Sequence, residues 1–196
     1  MIESAGTMFQ AVSSLAVIIP AEIIKRLGEP FGNETNHAIY HKGEIAMTIQ
    51  ELVPYLSVTD AKEAVAFYSR VFGAEPALLL NMPDGRVMHC EFRVGGARFF
   101  LSEELPEHGG TPSPKSLGAT TVAIHLYVDD CDAMVAQMQS NGATVVMEPE
   151  DMFWGERFAR VRDPFGHEWG ITTHLRDMTP AEIQAAATKL FESTAD

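Results

Sequence analysis

His125 stands in the middle of an alternating apolar run, Val122-Ala-Ile-His-Leu-Tyr-Val128. An imidazole there, titrating near neutral pH, can hydrogen-bond a ligand or serve as a general base. Glu168 offers a carboxylate that could complete an acid–base pair with it. Trp154, preceded by Phe153, lies between strand-like segments, where exposed rings can stack over a ligand. Tyr55 is placed to line the same surface or to donate a hydrogen bond. Arg157, Arg160 and Arg162 could hold an anion, but in so acidic a chain they are expected to pair with carboxylates. Cys131 falls in a first helical turn, a position that can lower a thiol pKa, although a small helix residue is the simpler reading. His37 and His41 are four apart and would share one face of a helix. Gly32, Asn33 and Gly43 disfavour a helix there, and no HExxH string accompanies the pair.

The chain carries 14 Lys+Arg against 27 Asp+Glu, a formal charge of −13. Such a surface repels phosphate backbones, so nucleic acid is not an expected partner. A cationic or neutral ligand is mildly favoured. GxGxxG, P-loop and CxxC strings are missing from the sequence, which sets nucleotide-binding and thiol-redox enzymes aside. Two cysteines, Cys90 and Cys131, are too few for a disulfide framework and read as free thiols in a reducing compartment. The longest apolar run, Leu15 to Pro20 with its neighbours, is too short to span a membrane, and Glu3 stands where a secretory signal would carry positive charge. The expected setting is cytoplasmic, with no membrane partner.

The elements that must position these residues come from an internal repeat. Tyr55-Leu-Ser-Val-Thr-Asp60 answers His125-Leu-Tyr-Val-Asp-Asp130 at an offset of 70. Gly73-Ala74 answers Gly142-Ala143 at 69, and Gly96, Phe99 and Leu101 answer Gly166, Trp169 and Ile171 at 70. A fixed period outranks any single motif in reading a fold. In each copy an alternating strand (52–58; 122–128) leads into a helix. Asp60 with Glu63 makes a capping-box-like start, Ala64, Phe67, Tyr68 and Val71 supply the apolar face, and Gly73 supplies the stop. The counterpart helix begins near Asp130 and ends at Gly142. Three strands follow in each copy, near 77–81, 87–94 and 97–102, then 144–147, 157–162 and 168–173. The fold class is therefore α+β, two βαβββ modules.

The expected organisation is an extension over 1–46, a first module over 47–105, and a Pro/Gly-rich linker over 106–118. A second module covers 119–177, and a C-terminal helix, opened by Thr179-Pro-Ala-Glu182, lies within 178–196. In the extension a short helix is expected over Ala21–Leu27. Lys42-Gly43-Glu44 back-translates to a purine-rich string just before Met47, so the expected translation start is Met47, with 1–46 as leader.

The strings VPYLSVTDAKEAVAFYSRVFGAE and FWGERFARVRDPFGHEWGITTH resemble the glyoxalase/bleomycin-resistance/dioxygenase (vicinal-oxygen-chelate) superfamily, and within it the PhnB-like branch. The resemblance covers roughly Ile49 to Asp177. It implies a cupped mixed sheet with helices outside and a ligand inside. Metal enzymes of this superfamily carry ligands on the first and last strand of each module, which maps here to Val53, Phe100, Ala123 and Gly170. A His/Glu set would be expected at such positions, and none of these four can coordinate a metal. No metal site and no cofactor is assigned.

Strand alternation then supplies the cup face. With Leu56 and Val58 turned to the helix, Val53, Tyr55 and Ser57 face the cup, as do Ala123, His125 and Tyr127. On the last strands Arg98, Phe100 and Ser102, and Glu168, Gly170, Thr172 and His174, share that face. The expected ligand-binding residues are Tyr55, Phe100, Ser102, His125, Trp154 and Thr172; the expected catalytic pair, should there be turnover, is His125 and Glu168. The reading is a homodimeric, metal-free small-molecule binding protein that sequesters an aromatic or cationic compound. The alternative is a lyase or isomerase using His125 and Glu168, or a divalent metal whose ligands lie elsewhere. Whether the modules pair within a chain or across a dimer stays open at this stage.

Overall fold

The structure is a computed structural model that describes residues 49–193. The helix expected over Ala21–Leu27, the His37/His41 pair and the start at Met47 lie outside the described residues. The chain divides into two compact units. One, Val53–Pro106 with Gly110–Asp196, holds both modules; the other, Met1–Leu52 with Glu107–Gly109, is described only in small part.

The first module runs β1 (Tyr55–Val58), α1 (Ala61–Phe72), β2 (Glu75–Asn81), β3 (Val87–Val94) and β4 (Ala97–Glu103). A short helix, α2 (Pro114–Leu117), interrupts the expected linker. The second module runs β5 (Ala123–Tyr127), α3 (Cys131–Ser140), β6 (Thr144–Asp151), β7 (Glu156–Arg162) and β8 (Glu168–His174), and α4 (Pro180–Ser193) follows. Each module forms its own four-stranded mixed sheet, β1-β4-β3-β2 and β5-β8-β7-β6. The outer strand of each runs parallel to the last: Tyr55 is paired with Phe100, and His125 with Gly170. The first strand is shorter than expected because Pro54 has no N–H to give the ladder; its carbonyl still accepts from Phe100 N at 2.8 Å.

Local chemistry sets the helix ends. Asp60 accepts from Glu63 N at 3.0 Å and Asp130 from Ala133 N at 2.9 Å, so both module helices begin at an aspartate cap. Gly73 closes α1 in the left-handed region at φ 61°. Thr179 and Glu182 close a capping box on α4, with Thr179 N donating to Glu182 Oε2 at 2.7 Å.

The helix-facing sides of the two sheets share one core. Phe67, Tyr68 and Phe72 of α1 meet Phe165 and Trp169 of the second module, and Phe99 of β4 lies 6.1 Å from Trp169. Asp163, 4% exposed, sits at the centre of this junction. Its Oδ2 accepts from Tyr68 Oη (2.7 Å) and Trp169 Nε1 (2.8 Å), and its Oδ1 from the backbone N–H of Phe165 and His167. One carboxylate therefore shapes the Asp163-Pro-Phe-Gly166 turn and ties it to the helix of the other module. Burial among these rings, beside the Asp163 charge, pushes the Tyr68 phenol well above its ordinary value. His167 adds a second tie, Nε2 donating to the Ser57 carbonyl at 3.0 Å.

Candidate functional site

Because side chains alternate along a strand, a residue next to a core-facing one looks the other way. Leu56, Val58, Cys90, Phe92, Phe99 and Leu101 are buried in the shared core. Tyr55, His89, Glu91 and Phe100 therefore lie on the opposite, cup face of the first sheet. Ala159, Val161, Trp169 and Ile171 do the same for the second sheet and place Phe158, Arg160, Glu168, Gly170 and Thr172 on its cup face with His125. The residues expected to make the site thus fall into two groups. Tyr55, Phe100 and Ser102 belong to the first sheet; His125, Glu168 and Thr172 belong to the second, with Trp154 in the turn between β6 and β7. Both cup faces turn away from the core they share.

On the first sheet, Tyr55 Oη lies 3.0 Å from His89 Nδ1, and His89 Nε2 lies 3.4 Å from Glu91 Oε1. Phe100 stands edge-on to both rings, 5.9 Å from Tyr55 and 5.2 Å from His89, with the Arg98 guanidinium 5.6 Å over its own face. His89 and Glu91 are 5% and 4% exposed, whereas Tyr55 is 47% exposed. Burial raises the Tyr55 phenol, against a hydrogen bond from Ser102 that lowers it. His89 and Glu91 were not among the expected site residues. The signal lay in the alternation His89-Cys-Glu-Phe92, with the apolar members turned inward and the polar pair outward.

On the second sheet, the His125 ring lies flat over Gly170. A Cβ built on Gly170 would approach the ring atoms to 2.9–3.0 Å, so the glycine is what lets the imidazole rest there. His125 also stacks on Phe158 (5.7 Å, 22° between planes), and Trp154 meets Phe158 edge-on at 6.1 Å. Trp154 is aimed by its indole N–H, which donates to Glu156 Oε2 at 2.9 Å. Thr172, 1% exposed, has a hydroxyl with no hydrogen-bond partner among the described residues.

Glu168 differs from its expected part as half of an acid–base pair with His125. It is 8% exposed and bound by two guanidinium groups, Arg162 at 2.6 Å and Arg160 through its other oxygen. The Arg162 hydrogen bond, with the charges of both arginines, holds its carboxyl below the ordinary carboxylate range despite burial. An acid so readily ionised is a poor proton donor near neutral pH, and it orients the arginines instead. Arg157 behaves as a surface partner, paired with Asp132 (2.8 Å to Oδ1) and Asp151 (2.7 Å). Cys131 donates its thiol to the Ile171 carbonyl at 3.3 Å, and burial raises its pKa, so it is a helix residue and not a reactive thiol.

The four positions of the family's metal ligands do not fit a metal. Val53, Phe100, Ala123 and Gly170 offer no donor atom, and the space over Gly170 is taken by the His125 ring. Among the described residues no group of three or more His, Cys, Asp or Glu side chains converges.

A sequence profile of the Glyoxalase/Bleomycin resistance protein/Dioxygenase superfamily matches residues 46–171. The chain belongs to this superfamily. The Mycobacterium bovis protein Mb0911c is 42% identical over 137 residues, 69% of this chain and 90% of its own length. TioX from Micromonospora sp. ML1 is 29% identical with a TM-score of 0.51, covering 64% of this chain and 99% of that one. A PhnB protein from Bacillus cereus, at 18% identity and a TM-score of 0.51 over 63% of this chain and 99% of that one, is similar in fold alone. Many members of a superfold carry different activities, so the superfamily limits the architecture and leaves the chemistry to the residues.

One open cavity of about 610 Å³ lies where Glu150, Asp151, Met152 and Phe153 approach Leu175, Arg176 and Leu190. His125 and Tyr55 are not among its lining residues. No helix among the described residues is long and apolar enough to cross a membrane.

Proposed function

We propose that this protein binds a planar aromatic small molecule, without turnover and without a metal, in a cup completed by a second copy of the chain. The observation that carries the reading is the row of rings on the second cup face, His125 parallel to Phe158 with Trp154 against it. Rings held in place by a glycine below and by Glu156 to one side are ready to stack on a flat ligand at little ordering cost.

The homodimer is supported by charge. At two sets of matching positions the sheets carry opposite signs, Glu91 against Arg160 and Arg98 against Glu168, while Arg93 answers Arg162 with the same sign. A first sheet facing the second sheet of another copy would bring negative against positive twice over. Tyr55 at 47% and Tyr127 at 69% exposure, large rings on the two cup faces, would be covered by the same step. Assignment to the PhnB-like branch rests on the sequence strings, and a cytoplasmic setting on the two buried, free cysteines.

The lyase or isomerase reading is weaker because Glu168 is engaged by two arginines and no second carboxylate hydrogen-bonds His125 among the described residues. A thermal-shift screen with flat aromatic cations, neutral aromatics and aromatic anions tests the binding reading, since a ligand of the folded state raises Tm by mass action. A shift for aromatic compounds that His125→Ala abolishes is the expected result. An unmoved Tm across all three classes would overturn it. Size-exclusion with light scattering tests the dimer, which should fall apart as salt rises if the charge pattern holds it.

A further inference from the structure

We propose that Tyr55, His89 and Glu91 form a recognition site for a hydrogen-bond donor on the ligand, a phenol O–H or an amine or amide N–H, and that the same site rejects phenolates and carboxylates. The proposal rests on the cup being a small-molecule site and adds the polar group that the ligand must carry.

The direction of the hydrogen bonds decides the selectivity. An ionised carboxylate can only accept, so the Glu91 oxygen 3.4 Å from His89 Nε2 assigns the ring hydrogen to that nitrogen. We take the ring as neutral: Nδ1 is then a bare lone pair that accepts from the Tyr55 hydroxyl 3.0 Å away, whereas an imidazolium would donate from Nδ1 instead. The tyrosine proton is directed inward and its oxygen presents lone pairs outward. Ser102 supplies a donor to one of them. The other is left for a ligand, on a side chain 47% exposed at the open end of an otherwise buried chain. Each member passes the same demand along: Glu91 wants a donor, so His89 wants one, so Tyr55 wants one.

Charge points the same way. Glu91 is 4% exposed with His89 as its hydrogen-bond partner, so its negative charge is little screened by water. An anionic ligand oxygen at Tyr55 would meet a lone pair and, behind it, a buried carboxylate. Of the two arginines on this face, Arg98 has its guanidinium over the Phe100 ring, and Arg93, its partner in register, is exposed to water, where its charge is screened. On the second cup face Glu168 gathers Arg160 and Arg162, Glu156 holds Trp154 and Glu150 pairs across from Phe158, so the two faces meet a ligand with different groups and would fix its orientation as well as its presence.

The probe is p-nitrophenol, whose neutral and ionised forms interconvert near neutral pH and absorb at different wavelengths. Titrated against the full-length protein, the bound probe should ionise at least one pH unit later than the free probe, a tenfold preference for the phenol over the phenolate. Tyr55→Phe keeps the ring and removes the acceptor, and the preference for phenol over phenolate should vanish. Glu91→Gln removes the buried charge and lets an amide N–H donate to His89 Nε2, turning the chain round so that Tyr55 donates outward. The bound probe should then ionise earlier than in the wild type. A wild-type midpoint equal to that of the free probe, a preference that survives Tyr55→Phe, or a Glu91→Gln protein indistinguishable from wild type would each overturn the proposal. So would failure of p-nitrophenol to bind while other aromatics stabilise the protein. That last outcome leaves the cup as a binding site standing, whereas failure of every aromatic removes the cup reading itself.

Discussion

On the first sheet the cup-face histidine, His89, is buried between a phenol and a carboxylate; on the second, His125 is exposed and lies over a glycine. The two sheets share strand order, register and the spacing of the repeat, so the contrast comes from side chains placed on one scaffold. Tyr55 pairs with Phe100 where His125 pairs with Gly170. A large ring beside a large ring stands edge-on and leaves the polar group beneath it, while a ring beside a glycine lies flat and offers its face. Duplication set the frame, and substitution at matching lattice points made one face a hydrogen-bond acceptor and the other a stacking platform with an arginine pair. A cup built from two unlike halves can read both the edge and the face of a flat molecule.

The largest effect is expected at the junction that both modules share. Asp163→Ala should cost about 3–5 kcal/mol, since it strands the Tyr68 hydroxyl, the Trp169 indole and two backbone N–H groups in a buried place. Denaturant titration measures it. A cost under about 1 kcal/mol would mean that the modules hold together by apolar packing alone and that their chemistry can be compared as separate units.

The next effect belongs to the second face. Glu168→Gln should lower stability by about 1–3 kcal/mol at neutral pH, because two arginines lose a charged acceptor. The Glu168 carboxyl has a folded pKa below its unfolded one, so its contribution is present above the ordinary glutamate range near about 4.3 and is lost as pH falls through the depressed folded value. Melting temperature against pH should therefore show a steeper acid limb in the wild type than in Glu168→Gln. Parallel limbs would show that the arginines do not need this carboxylate.

How much of this was legible beforehand depends on what each residue's pattern encodes. The βαβββ order was readable because the offset of 70 places Leu56, Leu101 and Phe99 against Leu126, Ile171 and Trp169, and period-two alternation fixes their faces. The caps at Asp60 and Asp130 and the capping box at Thr179 are local, three residues wide, and so lie within reach of sequence. His89 and Glu91 escaped notice because β3 is flanked by strands on both sides, and its value as a site depends on Tyr55, 34 residues away in sequence. Glu168 was visible as a cup-face carboxylate, but its capture by Arg160 and Arg162 depends on the β7–β8 register, which pairs Arg162 directly with Glu168. Contacts set by register are not written in the spacing of either strand alone.

A paired substitution sharpens the contrast between the histidines. His89→Ala should cost about 1–3 kcal/mol, because it opens a void and leaves the buried Glu91 carboxylate without its partner. His125→Ala should stay within about 0.5 kcal/mol, since an exposed ring makes few core contacts, and should weaken aromatic ligand binding. Equal costs for the two would place both rings in comparable surroundings and remove the basis for giving them different roles.

The smallest expected change in stability lies at Thr172, between Tyr127 and Phe158 in register. Its hydroxyl is buried without a partner among the described residues, a cost the folded protein carries in the absence of ligand. Thr172→Val keeps the shape of the side chain and removes the stranded group, so stability should stay level or rise by up to about 1 kcal/mol. Affinity separates the two explanations of why the hydroxyl is there. If it meets a polar atom of the ligand, the valine protein should be as stable as wild type or more so, and yet bind aromatic compounds more weakly. If affinity is unchanged, Thr172 is a filler of the sheet, and recognition on the second face comes from ring stacking and the arginine pair alone.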